Sequence, residues 1–188
     1  MTISEMIYKD VCALIEEEGT RNPLHILHSK GVHVLPFSVD TDLLGMYSKV
    51  LDKPFVFYNT KLEEHLLNMV LAHELGHFIY HNDYQDIATS TTIVKKNNEE
   101  LEANIFAAHL LIDEKAVIEY LETDYSVYQI ASALYVVPDL LIIKLNEMRK
   151  LGYPIPYNLN FDSSFFKSIS GKNEQNWDGD FVFDNNDD

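Results

Sequence analysis

The stretch "MVLAHELGHFIYH", residues 69–81, places His73, Glu74 and His77 inside an apolar run. Residues four apart on a helix share one face, so His73 and His77 project from adjacent turns on the same side. Two imidazole nitrogens at this spacing can bind one tetrahedral Zn2+ at ~2.0–2.1 Å. A glutamate beside the first histidine can reach a water on the ion without taking a coordination position. The spacing therefore predicts a helix with two zinc ligands, His73 and His77, and one general base, Glu74.

The apolar surroundings favour a metal over histidines that merely face solvent or are hydrogen-bonded. Two histidines and a glutamate buried without partners would cost of the order of several kcal/mol. A catalytic zinc also needs a third protein ligand and an open position for water. Gly76 lacks a side chain and leaves room beside His77 for the segment that supplies that ligand.

A second motif, "EELEANIFAA" at residues 99–108, offers the third ligand. Glu100 and Asn104 are four apart and share a helical face, and several alanines form a small-residue surface that can approach the first helix closely. Glu99 and Glu102 compete with Glu100 by proximity. Glu102 projects ~200° away from Glu100 on an ideal helix, so these two cannot both face the metal.

The E-x-x-A-N pattern resembles the second motif of gluzincin metallopeptidases, which implies that Glu100 is the third ligand and that Asn104 contacts a ligand histidine. Together, "AHELGHFIYH" and "ELEANIFAAHLL" resemble the ImmA/IrrE family of zinc metallopeptidases over about residues 54–112. This resemblance implies a bacterial or phage zinc endopeptidase that inactivates a helix-turn-helix repressor encoded beside it by cleavage. The chain departs from the family at "LLID", where L-L-M-P is usual, after the residues that carry the chemistry.

The remaining histidines are poor candidates for the same metal. His65 and His81 each lie eight residues from His73, ~12 Å along a helix axis, and we expect His81 to contact the site from outside or to lie at the surface. His109, Tyr80 and Tyr84 are candidates for stabilising an oxyanion, without a position that the sequence can assign.

The chain around the motifs predicts an α+β fold. A first helix over about residues 2–18 precedes three short strands, "GVHVLPF", "LLGMYS" and "PFVFYN". They predict a small antiparallel β-sheet packed on a zincin-type helical core, in which the motif helix spans about 61–81, with Asn59 or Thr60 as its cap. "PFVFYN" is either an edge that pairs with an extended substrate or an ordinary core strand.

The remaining segments are a polar loop over 82–98, a helix capped by Asp113, and a helical hairpin broken at Val137-Pro138. We predict a metallopeptidase domain over 1–112, a helical extension resembling a helix-turn-helix over 113–152, and a partly disordered acidic tail over 153–188.

Charge and composition limit the classes of partner. The net charge of −16 disfavours direct binding to nucleic acid, and the group of Lys144, Arg149 and Lys150 is a small basic cluster. The second helix of the hairpin, "PDLLIIKLNEM", is too apolar for a DNA reader, which favours a packing element or a partner-binding hairpin. A single cysteine, Cys12, no apolar run of ~20 residues and no signal peptide at the start predict a cytoplasmic protein.

The leading interpretation is a zinc endopeptidase that acts on a protein partner, a DNA-binding repressor, without contacting nucleic acid or membrane itself. The alternative is a non-hydrolytic zinc-containing regulator that acts by binding its partner. A DNA-binding protein with a structural zinc is a third possibility, which the charge makes the weakest.

Overall fold

The computed structural model describes residues 1–81, 90–156 and 159, with side chains in the helix that begins at residue 90 described from residue 98 onward. Over this part the chain forms seven helices and three strands, which confirms the α+β prediction. In chain order they are α1 Ile3–Glu18, α2 Pro23–Ser29, β1 His33–Pro36, β2 Gly45–Val50, β3 Lys53–Tyr58, α3 Glu64–Tyr80, α4 Ser90–Leu111, α5 Glu114–Leu121, α6 Val127–Ala133 and α7 Pro138–Lys150.

The sheet is mixed, so the prediction of an antiparallel sheet was wrong for its first strand. The strand order is β1-β3-β2, with β1 parallel and β2 antiparallel to β3. The connection over residues 37–44 crosses the end of β3, where the Phe37 N–H donates to Tyr58 O and the Asn59 N–H donates to Leu44 O. Because β3 lies between the two other strands, it has no edge left to pair with a substrate. The sheet edge nearest α3 belongs to β2.

The motif helix α3 begins later than the caps predicted from sequence. Its N-cap is Glu63, whose side chain makes no capping hydrogen bond. Asn59 instead closes a local turn, because its Oδ1 accepts from the Lys61 N–H and its Nδ2 donates to the carbonyl of Leu43. The stretch Met69–Ala72 and Leu75 are buried, so α3 is a central helix of the core.

Two segments are helical in the structure although the sequence did not predict a helix there. The short helix α2 was missed, although Asn22 caps it and Pro23 occupies its first turn. The helix α4 begins at Ser90, so the predicted polar loop was wrong for residues 90–98, while residues 82–89 lie outside the described part. A polar composition did not exclude helix here, because tertiary contacts elsewhere on α4 stabilise it.

The C-terminal helices follow the prediction closely. Asp113 caps α5 through two backbone N–H groups, and the hairpin breaks between α6 and α7, with Pro138 in the first turn of α7. One hydrophobic cluster extends from Ile7 in α1 to Ile155. The domain division at residue 112 stays a prediction, and most of the tail lies outside the described residues.

No single helix in the described ranges is long and apolar enough to cross a membrane. Within these ranges, α6 and α7 are long and apolar enough only when they are taken together, and they are bent by 103° at their break. Lys144 on α7 has 0% exposure, so the basic cluster seen in the sequence is not a continuous surface patch.

Candidate metal centre

The two motif helices, α3 and α4, touch at a pair of small residues. A Cβ built on Gly76 would lie 3.0 Å from Ala103 Cα and 3.3 Å from Ala103 Cβ. Ala103 has 0% exposure. The predicted close approach of a small-residue surface on α4 to the motif helix is confirmed. This approach brings the side chains on either side of the crossing within reach of one another.

Three of the predicted site residues converge beside this crossing. His73 Nε2 lies 3.0 Å from His77 Nε2 and 3.3 Å from Glu100 Oε2, and His77 Nε2 lies 3.6 Å from Glu100 Oε1. A tetrahedral ion ~2.0–2.1 Å from each ligand atom separates those atoms by about 3.3 Å. One ligand atom from each residue lies within 4.8 Å of the others, so the residues present fit a tetrahedral Zn2+.

Asn104 determines which ring nitrogen of His73 is available to a metal. The Nδ1 of His73 lies 2.9 Å from Asn104 Oδ1. Because a carbonyl oxygen only accepts hydrogen bonds, Nδ1 carries a proton, and Nε2 is the nitrogen that can give up its own proton and bind a metal. A partner of this kind fixes the ring orientation of a metal-binding histidine.

The electrostatics of the site also suit a cation. Hydrogen bonds from His73 and His77 hold the pKa of the Glu100 carboxyl well below its ordinary value. Burial lowers the pKa of His73, but the Glu100 and Glu74 carboxylates outweigh burial and leave that pKa raised. The Glu100 side chain is 45% exposed, so one side of the group is open to solvent.

Glu74 lies beside the group and is held by the backbone of β2. Its Oε2 accepts a hydrogen bond from the Tyr47 N–H at 2.7 Å. Glu74 is 7% exposed, and this burial raises its pKa, while the two neighbouring histidines act in the opposite direction. A raised pKa brings a carboxylate closer to the range in which it can accept and return a proton.

We expect the purified protein to hold about one zinc per chain, and Glu100→Gln to lose it, because an amide oxygen is a much weaker ligand than a carboxylate. Elemental analysis after dialysis measures this. Glu102→Gln is the matched control and should keep the stoichiometry, since Glu102 contacts His81 rather than the ligand group and a glutamine oxygen can still accept a hydrogen bond from His81. Loss of zinc from the Glu102 variant alone would move the third ligand two residues along α4.

Gly45 is needed where β2 passes over α3. A Cβ at this position would lie 2.3 Å from Val70 Cγ1 and 3.1 Å from Glu74 Oε1. We therefore expect Gly45→Ala to lower the free energy of unfolding by about 1–3 kcal/mol, the usual cost of overpacking. Urea denaturation measures this change. Val70→Ala removes the clashing atom, so the double variant should recover part of the loss, and an unchanged stability for Gly45→Ala alone would contradict the prediction.

None of the other described residues considered from sequence belongs to the group formed by His73, His77 and Glu100. The Tyr80 hydroxyl donates to Asp10 on α1, and His109 is buried against Lys144, so neither is available to an oxyanion at this site. Tyr84 lies outside the described residues. His65 pairs with Glu63. His81 caps the C-terminal end of α3, and its ring centroid lies 5.5 Å from that of His77, so it contacts the site from outside, as one of the two predicted alternatives has it.

Sequence reasoning missed the contribution of β2. A glycine inside a strand often marks a close backbone approach, and Gly45 in "LLGMYS" carried that signal. The Tyr47 contribution is a backbone N–H, which every residue except proline has, so no residue type could have indicated it.

Comparison with known proteins identifies the family to which this chain belongs. The family Peptidase_M78, described as the IrrE N-terminal-like domain, matches residues 28–146, which is more than half of the chain. The chain is also 27% identical over 146 residues to the "Uncharacterized immunity region protein 2" of Bacillus phage phi105, covering 77% of this chain and 92% of that protein. The chain therefore belongs to the Peptidase_M78 family, which confirms the predicted resemblance and implies peptidase activity.

Proposed function

We propose that this protein is a zinc-dependent endopeptidase that hydrolyses a peptide bond in a specific protein partner. The observation that carries the proposal is the convergence of His73, His77 and Glu100 within 4.8 Å, with the buried Glu74 beside them. Two histidines, a glutamate ligand and an adjacent free glutamate are the donor set of a hydrolytic zinc site.

The residues of the chain have separate roles in this proposal. His73, His77 and Glu100 would hold the ion, and Asn104 keeps His73 in the tautomer that can bind it. When bound, the ion would lower the pKa of a water toward ~7 and polarise the scissile carbonyl. Glu74 takes the proton from the attacking water and passes it to the leaving amine. The Tyr47 N–H holds Oε2 of Glu74, so the carboxylate is oriented before substrate arrives.

The outer edge of β2 is the place for an extended substrate. Among the described residues β2 pairs with β3 on one side only, and its other side faces the motif helix at Tyr47 and Glu74. A substrate backbone added along this edge would place a peptide bond close to the ligand group. This assignment replaces β3, which is paired on both sides.

The partner we propose is a helix-turn-helix repressor of a phage or mobile element, acted on in the cytoplasm. The phage relative is named as an immunity region protein, and the resemblance to the ImmA/IrrE family implies a helix-turn-helix repressor as the target. The net charge of −16 complements the basic surface of a DNA-binding protein. The same charge opposes direct binding to nucleic acid.

The test is co-expression with the repressor encoded beside the gene, followed by purification of both proteins. We expect a discrete repressor fragment, cleavage that stops when a chelator removes the metal, and cleavage that returns when zinc is added back. The alternative, a non-hydrolytic regulator, predicts that repression is lost while the repressor stays full length. That outcome would reject the endopeptidase.

A further inference from the structure

His81 lies at the end of α3, where the helix stops. It is the C-cap residue, and its backbone N–H donates to His77 O at 2.8 Å. Its side chain is only 8% exposed, and its Nε2 is buried without a hydrogen-bond partner among the described residues. Burying a polar nitrogen without a hydrogen-bond partner costs free energy, so this burial needs an explanation.

The ring is directed at the segment of α4 that carries Glu100. His81 Nε2 lies 3.6 Å from Glu102 Oε2, and the ring also takes part in a hydrogen bond with the backbone of Glu99. Glu99 and Glu102 flank Glu100 in the sequence. His81 therefore contacts α4 on both sides of the candidate third ligand.

Contacts on both sides of the Gly76–Ala103 crossing hold α3 against α4. The helices run antiparallel and meet at Gly76 and Ala103, a close contact between small residues that makes no side-chain hydrogen bond of its own. The hydrogen bond from His73 to Asn104 ties them on one side of this contact. His81 lies five residues beyond Gly76, about 7.5 Å along the axis, and ties them on the other side.

We propose that His81 is a positioning residue for the metal centre, which holds Glu100 opposite His73 and His77 by tying the end of α3 to α4. The inference rests on the proposed zinc site. His81 is not itself a ligand, because its Nε2 faces Glu102 and it lies ~12 Å along the helix from His73. With both ties in place, the three ligand atoms are held close together before a metal arrives. Without His81, Glu100 must be ordered by the metal itself, which weakens binding.

The experiment measures zinc affinity by competition with a chromophoric chelator, using the full chain stripped of metal. His81→Ala should bind zinc ~10–100-fold more weakly than the wild type, the usual loss when an outer partner of a ligand is removed. His81→Gln keeps a hydrogen-bond donor and should recover part of the affinity. His65→Ala is the matched control, because His65 lies on the same helix and its Nδ1 is also 3.6 Å from a glutamate oxygen, that of Glu63. It should bind zinc as the wild type does.

The melting temperature of each metal-free variant separates positioning from plain stability. A lower melting temperature for His81→Ala with wild-type zinc affinity would show a structural role only and would overturn the inference. If His81→Ala does not fold, His81→Phe decides, because phenylalanine fills a similar volume without a hydrogen-bonding group, and wild-type affinity in that variant likewise overturns the inference. A wild type that binds no zinc would instead reject the proposed function, and the inference with it.

Discussion

Replacing Glu74 by glutamine is expected to slow cleavage of the partner by ~10²–10⁴-fold, the usual contribution of a positioned general base. Glutamine cannot take the proton from the attacking water, but its amide oxygen can still accept the hydrogen bond from the Tyr47 N–H. Glu74 is not among the three converging ligand groups. The variant should therefore keep its zinc, its fold and its affinity for the partner.

Three measurements on one preparation check this result: single-turnover cleavage of the partner repressor, zinc content by elemental analysis, and partner affinity. Glu64→Gln is the matched control, because Glu64 is an exposed glutamate in the first turn of the same helix. It should cleave at the wild-type rate. Cleavage by Glu74→Gln at the same rate as the control would remove Glu74 from the mechanism.

Replacing Glu114 by alanine is expected to lower the free energy of unfolding by about 3–5 kcal/mol, the usual cost of leaving a buried charge unpaired. Lys144 has 0% exposure and donates hydrogen bonds to Glu114 and to Nδ1 of His109, which is also buried. His109 is the shared neighbour, since its Nδ1 also lies 3.8 Å from Glu114 Oε1. Removing Glu114 takes away the acidic member of this cluster, which links α4, α5 and α7.

Urea denaturation of Glu114→Ala and of Glu114→Ala with Lys144→Met tests the electrostatic cause. Methionine fills a similar volume without charge, so it should recover much of the loss, as apolar replacement of buried ion pairs often does. A double variant less stable than Glu114→Ala would show that Lys144 stabilises the fold without its acidic partner.

The same cluster predicts a specific dependence of stability on pH. Burial opposes ionisation of Glu114, but its interactions with His109 and with the charged Lys144 outweigh burial and lower its pKa from 4.5 to about 2. Between pH 4.5 and 2 the unfolded chain binds this proton and the folded chain does not, so stability from Glu114 is present above pH 4.5 and is lost as pH falls. At about 1.36 kcal/mol per pKa unit the contribution is about 3 kcal/mol. The stability difference between wild type and Glu114→Gln should shrink over that range, and a constant difference would contradict the prediction.

The sequence determined the local features of this protein. Spacing of four residues on a helix placed His73 with His77, and Glu100 with Asn104, because one helical turn brings such side chains to the same face. Short polar caps such as Asp113 marked a helix start, because a side-chain oxygen satisfies backbone N–H groups within three residues. Gly76 and Ala103 indicated the close helix contact because only small residues permit it. Each of these signals lies within a few residues of its effect.

Only the tertiary structure decided the features that join distant residues. It placed β3 between its neighbours, brought the Tyr47 N–H to Glu74, and paired Lys144 with His109 and Glu114. It also brought Glu100, rather than Glu99 or Glu102, beside His73 and His77, through the packing of α4 on α3. These contacts depend on how chain segments cross and pack. The sequence alone does not indicate which group a backbone N–H will bind or whether a lysine will be buried. The sequence therefore determined which residue types the site contains and their spacing along each helix, and the packing of α3, α4 and β2 decided its geometry.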